Sequence, residues 1–307
     1  MSLKLKCFLA ALSANIIWGF VAVPIRFVQN YQAEQILFSR ILASLIICWV
    51  FIISFQRKQL RIDINTLIFT PKSERKNLLL LLLTSGILIT FNWYAFIYVI
   101  NNVSLNSAAF AYMICPLITA LSGFIILKED INNQKIVGII IALISVLILA
   151  TGSLNEVLWS IITASFYAFY LIVQRVIKAF NKINMLGLQL IIAFTLILPL
   201  YLNLGLSIPS SLDFWFDIIV IAVLFTLVPL FLSLYALEGL PSSTVGIIIY
   251  INPVIAFGVA YLYFQEGITI IQALAYLLLV FAVIIFNWKI LSGTIRKLAS
   301  REATDFE

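Results

Sequence analysis

Histidine is absent from this 307-residue chain, and charge is scarce: 13 acidic and 19 basic side chains make up only 10% of it. Without imidazole the chain lacks the usual general base near neutral pH and the commonest metal ligand. Cysteine is nearly missing as well. Cys7, Cys48 and Cys115 are the whole set, scattered through apolar runs, and they read as neither a disulfide framework nor a metal site. No phosphate-cradling glycine loop, no GxSxG elbow and no HExxH helix occurs, which disfavours direct use of ATP and the common hydrolytic chemistries. The expectation is a protein that is not an enzyme and uses neither cofactor nor metal. A soluble domain is about one quarter charged. Here hydrophobic residues reach 63% and the mean hydropathy is +1.13, more apolar surface than a soluble core can hide. The solvent for most of the chain is therefore lipid. The net charge of +6 does not signal nucleic acid, because the basic residues sit in short loops beside apolar runs.

A membrane helix needs about 20 mainly apolar residues. Read that way, the chain has ten spans, near 7–28, 35–55, 77–99, 107–127, 136–151, 157–178, 184–203, 216–237, 243–264 and 268–290. Lys4 and Lys6 ahead of the first run resemble the start of a signal peptide, but the run is long and more follow, so it reads as a retained helix. Between the spans, Asn101-Asn102, the stretch 128–133, Pro209-Ser210-Ser211 and the stretch 239–243 read as turns. With the N-terminus placed in the cytoplasm, 17 of the 19 basic residues fall on the cytoplasmic side, and the exceptions, Arg26 and Arg40, lie inside spans. This asymmetry predicts that both termini are cytoplasmic.

The chain is written twice. Residues 98–148 lie over 235–285 without a gap at an offset of 137, placing Pro116 on Pro253 and Glu129 on Glu266. Nearer the N-terminus, Trp18 falls on Tyr167 and Arg26 on Arg175 at an offset of 149. The longer basic loop 56–76 accounts for the difference. The prediction is an all-α integral membrane protein of ten transmembrane helices, built as two inverted five-helix repeats (1–153 and 154–290) with a short cytoplasmic tail (291–307). Five is odd, so the copies run in opposite directions. In transporters of that layout the substrate site lies where the repeats meet.

Helices do not associate in lipid by the hydrophobic effect, so most small residues in the spans read as packing positions. The paired prolines say more. Pro116 and Pro253 each stand mid-span, where a proline removes a backbone donor and frees the carbonyl one turn earlier. That carbonyl needs another partner inside a membrane. They are candidate hinges, and equally candidate walls of a cavity. Pro24, Pro199 and Pro229 predict further breaks. Polar and aromatic side chains at membrane depth give the candidate substrate contacts: Asn15, Trp18, Asn92, Trp93, Tyr112, Tyr167, Tyr170, Tyr250 and Asn252. Arg40 joins them, since an intramembrane guanidinium is a functional candidate by default. It reads either as a structural tie at the helix end or as a dock for an anionic group such as a carboxylate. Glu129, Asp130 and Glu266 stand just before spans five and ten, where a carboxylate favours a helix N-terminus, so they read as caps. No acidic residue lies near the midplane of a span, which points away from a titratable proton carrier.

These residues resemble a family. Ile17-Trp18-Gly19-Phe20, the segment Glu34-Gln35-Ile36-Leu37-Phe38-Ser39-Arg40, the pairs Asn92-Trp93 and Asn101-Asn102, Ala111-Tyr112-Met113-Ile114-Cys115-Pro116, Tyr250-Ile251-Asn252-Pro253 and Gln265-Glu266-Gly267 are similar to the drug/metabolite transporter superfamily. Within it the likeness is to EamA-type proteins, and to RarD-type permeases in particular. The chain departs from the family's pattern at Ser39, where a His is frequent, and at Cys115, where an Asn is common. The resemblance implies a multi-pass inner-membrane permease with a central cavity lined by helices one, three, four, six, eight and nine. It implies export or exchange of small metabolites, often amino acids or drug-like solutes, by alternating access. RarD-type proteins also carry a chloramphenicol-sensitivity label. The expected partners are a small-molecule substrate and the lipid bilayer. A non-transporting receptor or scaffold is the alternative, and the short loops and tail argue against it.

Overall fold

A computed structural model describes residues 3–103, 105–150, 154–263, 265 and 269–293. Among them the fold is entirely helical, with no strand. The helices are α1 (Leu3–Gly19), α2 (Ala22–Phe27), α3 (Ala33–Phe55), α4 (Arg57–Phe69), α5 (Lys72–Asn102), α6 (Leu105–Ile126), α7 (Asn133–Leu149), α8 (Leu154–Val176), α9 (Lys182–Asn203), α10 (Leu212–Ala222), α11 (Val228–Gly239), α12 (Ser242–Ile248), α13 (Ile251–Leu262) and α14 (Ile270–Phe286). Seven helical stretches among the described residues are long and apolar enough to cross a membrane: Leu3–Phe27, Ala33–Phe55, Lys72–Val99, Val157–Val176, Lys182–Asn203, Leu212–Gly239 and Ser242–Val259. Three more, Ala111–Ile126, Asn133–Leu149 and Ile270–Phe286, are apolar but shorter.

Local chemistry sets the helix starts. The Asn132 side chain accepts from the Lys135 N–H at 2.9 Å and opens α7. Asn181 does the same for α9 through Ile183. Gln32 with Gln35, and Thr269 with Gln272, form reciprocal capping boxes that open α3 and α14. Each device satisfies backbone donors that a helix N-terminus leaves free.

The prolines behave differently from one another. The first span breaks at Phe20-Val21, between α1 and α2. The ninth breaks at Ile249-Tyr250, just before Pro253. There the Ile249 carbonyl, the one a proline at 253 deprives of its helical donor, accepts instead from the Asn252 N–H at 2.9 Å. Helix α6 passes through Pro116 without interruption, and α9 passes through Pro199 in the same way. The break expected at Pro199 therefore does not form. In the eighth span a π-helical turn, Val223–Leu227, joins α10 to α11, with Pro229 directly after it.

The basic stretch 56–76, expected to be a loop, contains α4. Leu60, Asp63 and Leu67 share one face of it. Asp63 is buried, and Leu60 and Leu67 pack against the main core. The Asp63 carboxylate accepts from the Gln59 amide at 3.1 Å, the Asn181 N–H at 3.1 Å and the Asn184 amide at 2.6 Å. An acidic side chain on α4 thereby caps the start of α9, a favourable place for negative charge.

The two halves of the chain interlock. α6 lies along α8, α5 along α8 and α9, α7 along α14, α1 along α11 and α13, α3 along α9, and α12 along α6. Each of these pairs joins a helix before residue 151 to one after 153. The main core cluster draws on both halves, with Cys7, Ile52 and Ile89 beside Leu171, Leu190 and Leu234. A second cluster packs Met113, Leu117 and Ala142 against Ile247, Leu279 and Val283. Gly19 shows how closely the halves meet: a Cβ there would fall 2.5 Å from the Ile255 Cβ of α13.

Candidate functional site

A narrow cavity of about 10 Å³ lies between α5, α6 and α8, lined by Asn92, Phe96, Ala111, Tyr112, Cys115, Thr163, Ala164 and Tyr167. Helix spacing builds its walls. Asn92 and Phe96 are one turn apart on α5, Ala111 and Cys115 one turn apart on α6, and Thr163 and Tyr167 one turn apart on α8. Each pair therefore lines one face. The Asn92 amide donates to the Thr163 carbonyl across the cavity edge at 3.0 Å, tying α5 to α8. Phe96 meets Tyr112 edge-on, ring centroids 5.1 Å apart. Tyr167 is stacked on Tyr170 at 5.7 Å and met edge-on by Trp18 at 6.1 Å. The chamber is aromatic, with a hydroxyl and an amide at its wall. That combination suits a small solute with an apolar body and a few polar groups.

Of the residues singled out by sequence, Asn92, Tyr112 and Tyr167 line this cavity. Trp18 and Tyr170 stand behind Tyr167 as support. The Trp18 indole N–H donates to the Phe225 carbonyl at 3.0 Å. In α-helical register the donor for that carbonyl would come from position 229, which is a proline. An indole from α1 thus serves a carbonyl in the π turn that Pro229 leaves without its helical partner. The Tyr170 hydroxyl donates to Gln189 Oε1 at 3.1 Å, and the Gln189 amide donates to the Ser85 hydroxyl at 3.0 Å. This chain joins α8, α9 and α5 beneath the cavity.

The others stand elsewhere. Asn15 is buried and turns its amide onto the Ala11 carbonyl of its own helix at 2.8 Å. Tyr250 is fully buried in the second core cluster at the α12–α13 break. Asn252 begins α13 and is not among the lining residues, and neither Pro116 nor Pro253 lines the cavity. Trp93 is next to Asn92 and carries the Arg40 guanidinium over its ring, 5.3 Å from the centroid. Phe96, Thr163 and Cys115 are walls that the sequence reading did not select. Their one available signal was the single-turn spacing from Asn92, Ala111 and Tyr167.

Glu129 is a cap, but of a different helix from the one expected. α7, the helix that follows it, is capped by Asn132. Glu129 instead reaches into the second half. Its Oε1 accepts from the Ser242 N–H at 2.6 Å and the Ser242 hydroxyl at 2.7 Å, and its Oε2 accepts from the Ser243 N–H at 2.9 Å. Gly123 makes room for this clamp, since a Cβ there would lie 2.8 Å from both Glu129 Oε2 and Ser242 Oγ. Glu266, its counterpart in the sequence repeat, lies outside the described residues, as does the end of the first proposed repeat, 151–153.

Apolar helices of membrane length, packed across both halves of the chain, define a multi-pass membrane protein. Comparison with known proteins gives the family. The EamA-like transporter family matches residues 5–151 and again 154–288, and the chain belongs to that family. It is 28% identical to Protein RarD of Streptomyces exfoliatus over 295 residues, which cover 93% of this chain and 89% of that one. It is 28% identical to Protein RarD of Escherichia coli K12 over 267 residues, covering 84% and 86%. It is 27% identical to the uncharacterized transporter YojE of Bacillus subtilis over 279 residues, covering 89% and 90%. A solved crystal structure of a protein 11% identical in sequence superposes with a TM-score of 0.72 over 91% of this chain and 95% of the other. At that identity the match speaks for the fold alone.

Proposed function

We propose that the protein moves small amphipathic metabolites, amino acids or close relatives of them, across the inner membrane by alternating access. It does no chemistry on them. The reading takes the chain as two inverted five-helix repeats, residues 1–153 and 154–290, with ten spans and both termini cytoplasmic. The observation that carries it is the position of the cavity: Asn92, Phe96, Tyr112 and Cys115 come from the first half, Thr163 and Tyr167 from the second. A site at the junction of two oppositely oriented units opens to one side or the other as the units rock. At about 10 Å³ the cavity has room for roughly one water, so a solute of amino-acid size or larger, chloramphenicol included, requires the chamber to widen. The absence of acidic residues at mid-span favours export or exchange down a solute gradient over proton coupling.

The test is reconstitution into liposomes with labelled amino acids, nucleosides and chloramphenicol, with and without a pH gradient. Saturable uptake of an amino acid above that of protein-free vesicles is expected. Folded, correctly inserted protein that moves none of the panel refutes the reading. The topology is checked separately in intact cells with single cysteines replacing Lys58 and Ser210. These should label from opposite sides of the membrane, and labelling from one side overturns the inverted arrangement.

A further inference from the structure

Helix α4 joins two membrane spans with almost no slack. Gln56 alone separates it from α3, and Thr70-Pro71 separate it from α5. Both neighbours lie in stretches long and apolar enough to cross a bilayer. The 13 residues of α4, about 20 Å of helix, are therefore held at the membrane surface by both ends.

One face of α4 is occupied by protein. Leu60 and Leu67 pack on the core, and Asp63 is taken up by Gln59, Asn181 and Asn184. The opposite face is uncovered, and its composition is ill suited to water. Arg57, Arg61, Ile64 and Ile68 follow one another along it at helical spacing, with Lys58, Ile62 and Phe69 beside them, and all seven are exposed. Phe69 is 82% exposed and Ile68 57%. Large apolar side chains gathered on one surface mark a contact with a partner or a membrane. The charge there is one-sided as well. Residues 57–76 hold six basic side chains and two acidic ones. One of those acids is the buried Asp63, which leaves Glu74 alone against all six.

From these observations we propose that the uncovered face of α4 seats on anionic phospholipids of the bilayer. Ile64, Ile68 and Phe69 dip below the headgroups, while Lys58, Arg61 and Lys72 meet the phosphates. An amphipathic helix in the interface plane buries its apolar side chains at the boundary between headgroups and acyl chains. A basic cluster directly beside a membrane helix adds attraction to anionic lipid. The long stems of Lys and Arg lie along apolar surface while their charged ends stay wet, so the two kinds of side chain can share one face. The lipid acts beyond its own contacts, because the other face of α4 holds the start of α9 through Asp63. A seated α4 is a strut between the first half of the chain and the second. Only the sidedness of this site rests on the proposed topology; the site itself does not depend on transport.

The experiment compares the purified full-length protein in nanodiscs of phosphatidylcholine with the same protein in an equal mixture of phosphatidylcholine and phosphatidylglycerol. The anionic lipid should raise the melting temperature by roughly 5 °C at low salt, and high salt should shrink the shift. Lys58→Gln, Arg61→Gln and Lys72→Gln combined should lose most of it. Lys4→Gln, Lys6→Gln and Lys178→Gln combined remove as much exposed charge and should keep it. Equal melting of the wild-type protein in the two lipids overturns the proposal. So does loss of the shift in the second combination, which would make it a property of net charge rather than of α4. A further measurement needs no change of charge: a nitroxide on Phe69→Cys, with the three native cysteines buried, should collide more with oxygen than with a water-soluble nickel chelate. The reverse order puts this face in water, open to a soluble protein or a second copy, and overturns the proposal too. Failure of the transporter reading would look different: the lipid shift intact, but no labelled solute moved in liposomes.

Discussion

Replacing Glu129 with alanine removes the acceptor of three hydrogen bonds at once. Two of the donors are the first backbone N–H groups of α12, and the third is the Ser242 hydroxyl. A hydrogen bond to a charged group contributes about 1.5–3 kcal/mol. Glu129 is only half-buried, so water takes over part of the role, and the hydroxyl turns to solvent at little cost. What remains is chiefly the two orphaned amides. A lost N-cap costs about 0.5–2 kcal/mol, and a second amide raises the total to about 3 kcal/mol. For a chain of 307 residues that corresponds to a fall in melting temperature of roughly 5 °C. Glu129→Gln should fall midway, because one oxygen survives while the new NH₂ faces a backbone donor. Asp130→Ala is the control: Asp130 is exposed, and its replacement should shift melting by less than about 1 °C, as surface changes do. Thermal unfolding of the purified protein in detergent, followed by size-exclusion chromatography, measures all three. If Glu129→Ala melts with the wild type, or if Asp130→Ala falls as far, the clamp contributes no stability and the reasoning fails.

Two further outcomes follow from the chamber and its support. Trp18→Phe keeps the ring but deletes the donor to the Phe225 carbonyl, and should destabilise by about 1–3 kcal/mol. Adding Pro229→Ala should recover part of that loss by restoring a backbone N–H, so a double-mutant cycle in thermal unfolding should show coupling. Strict additivity would refute the link between Trp18 and the proline. Tyr112→Ala removes one wall of the cavity and should lower liposome uptake several-fold at unchanged membrane abundance. Uptake at the wild-type rate would show that the solute does not pass this wall.

The long apolar runs were legible in the sequence because lipid imposes its thickness on each of them. What the sequence could not show was which helix lies against which. Glu129 was readable as a cap, yet the helix it caps begins 113 residues further on. Trp18 was readable as a polar-edged aromatic at membrane depth, and its partner is 207 residues away. The helix α4 hid in a basic stretch because its apolar face is two leucines and a buried aspartate, too weak a pattern to stand out beside Arg57, Lys58 and Arg61. Prolines were the least predictable. Pro229 and Pro253 coincide with irregular turns, where the Phe225 and Ile249 carbonyls find other donors, and Pro116 and Pro199 do not. At the site itself, polarity drew attention to Asn92, Tyr112 and Tyr167 but gave no reason to choose Phe96 or Cys115, which are walls by position alone.

The interlocking of the halves has a bearing on how the protein is made. Helices enter a membrane one by one and pack afterwards. Of the helices described, α1 leaves the ribosome first, and its neighbours α11 and α13 follow only after α2 to α10. For most of translation the leading helix, with Asn15, Trp18 and Gly19 on it, waits in lipid without the surfaces it is shaped to meet. The earliest segment to be inserted is thus among the last to find its seat, and a chain interrupted before residue 228 would strand it there.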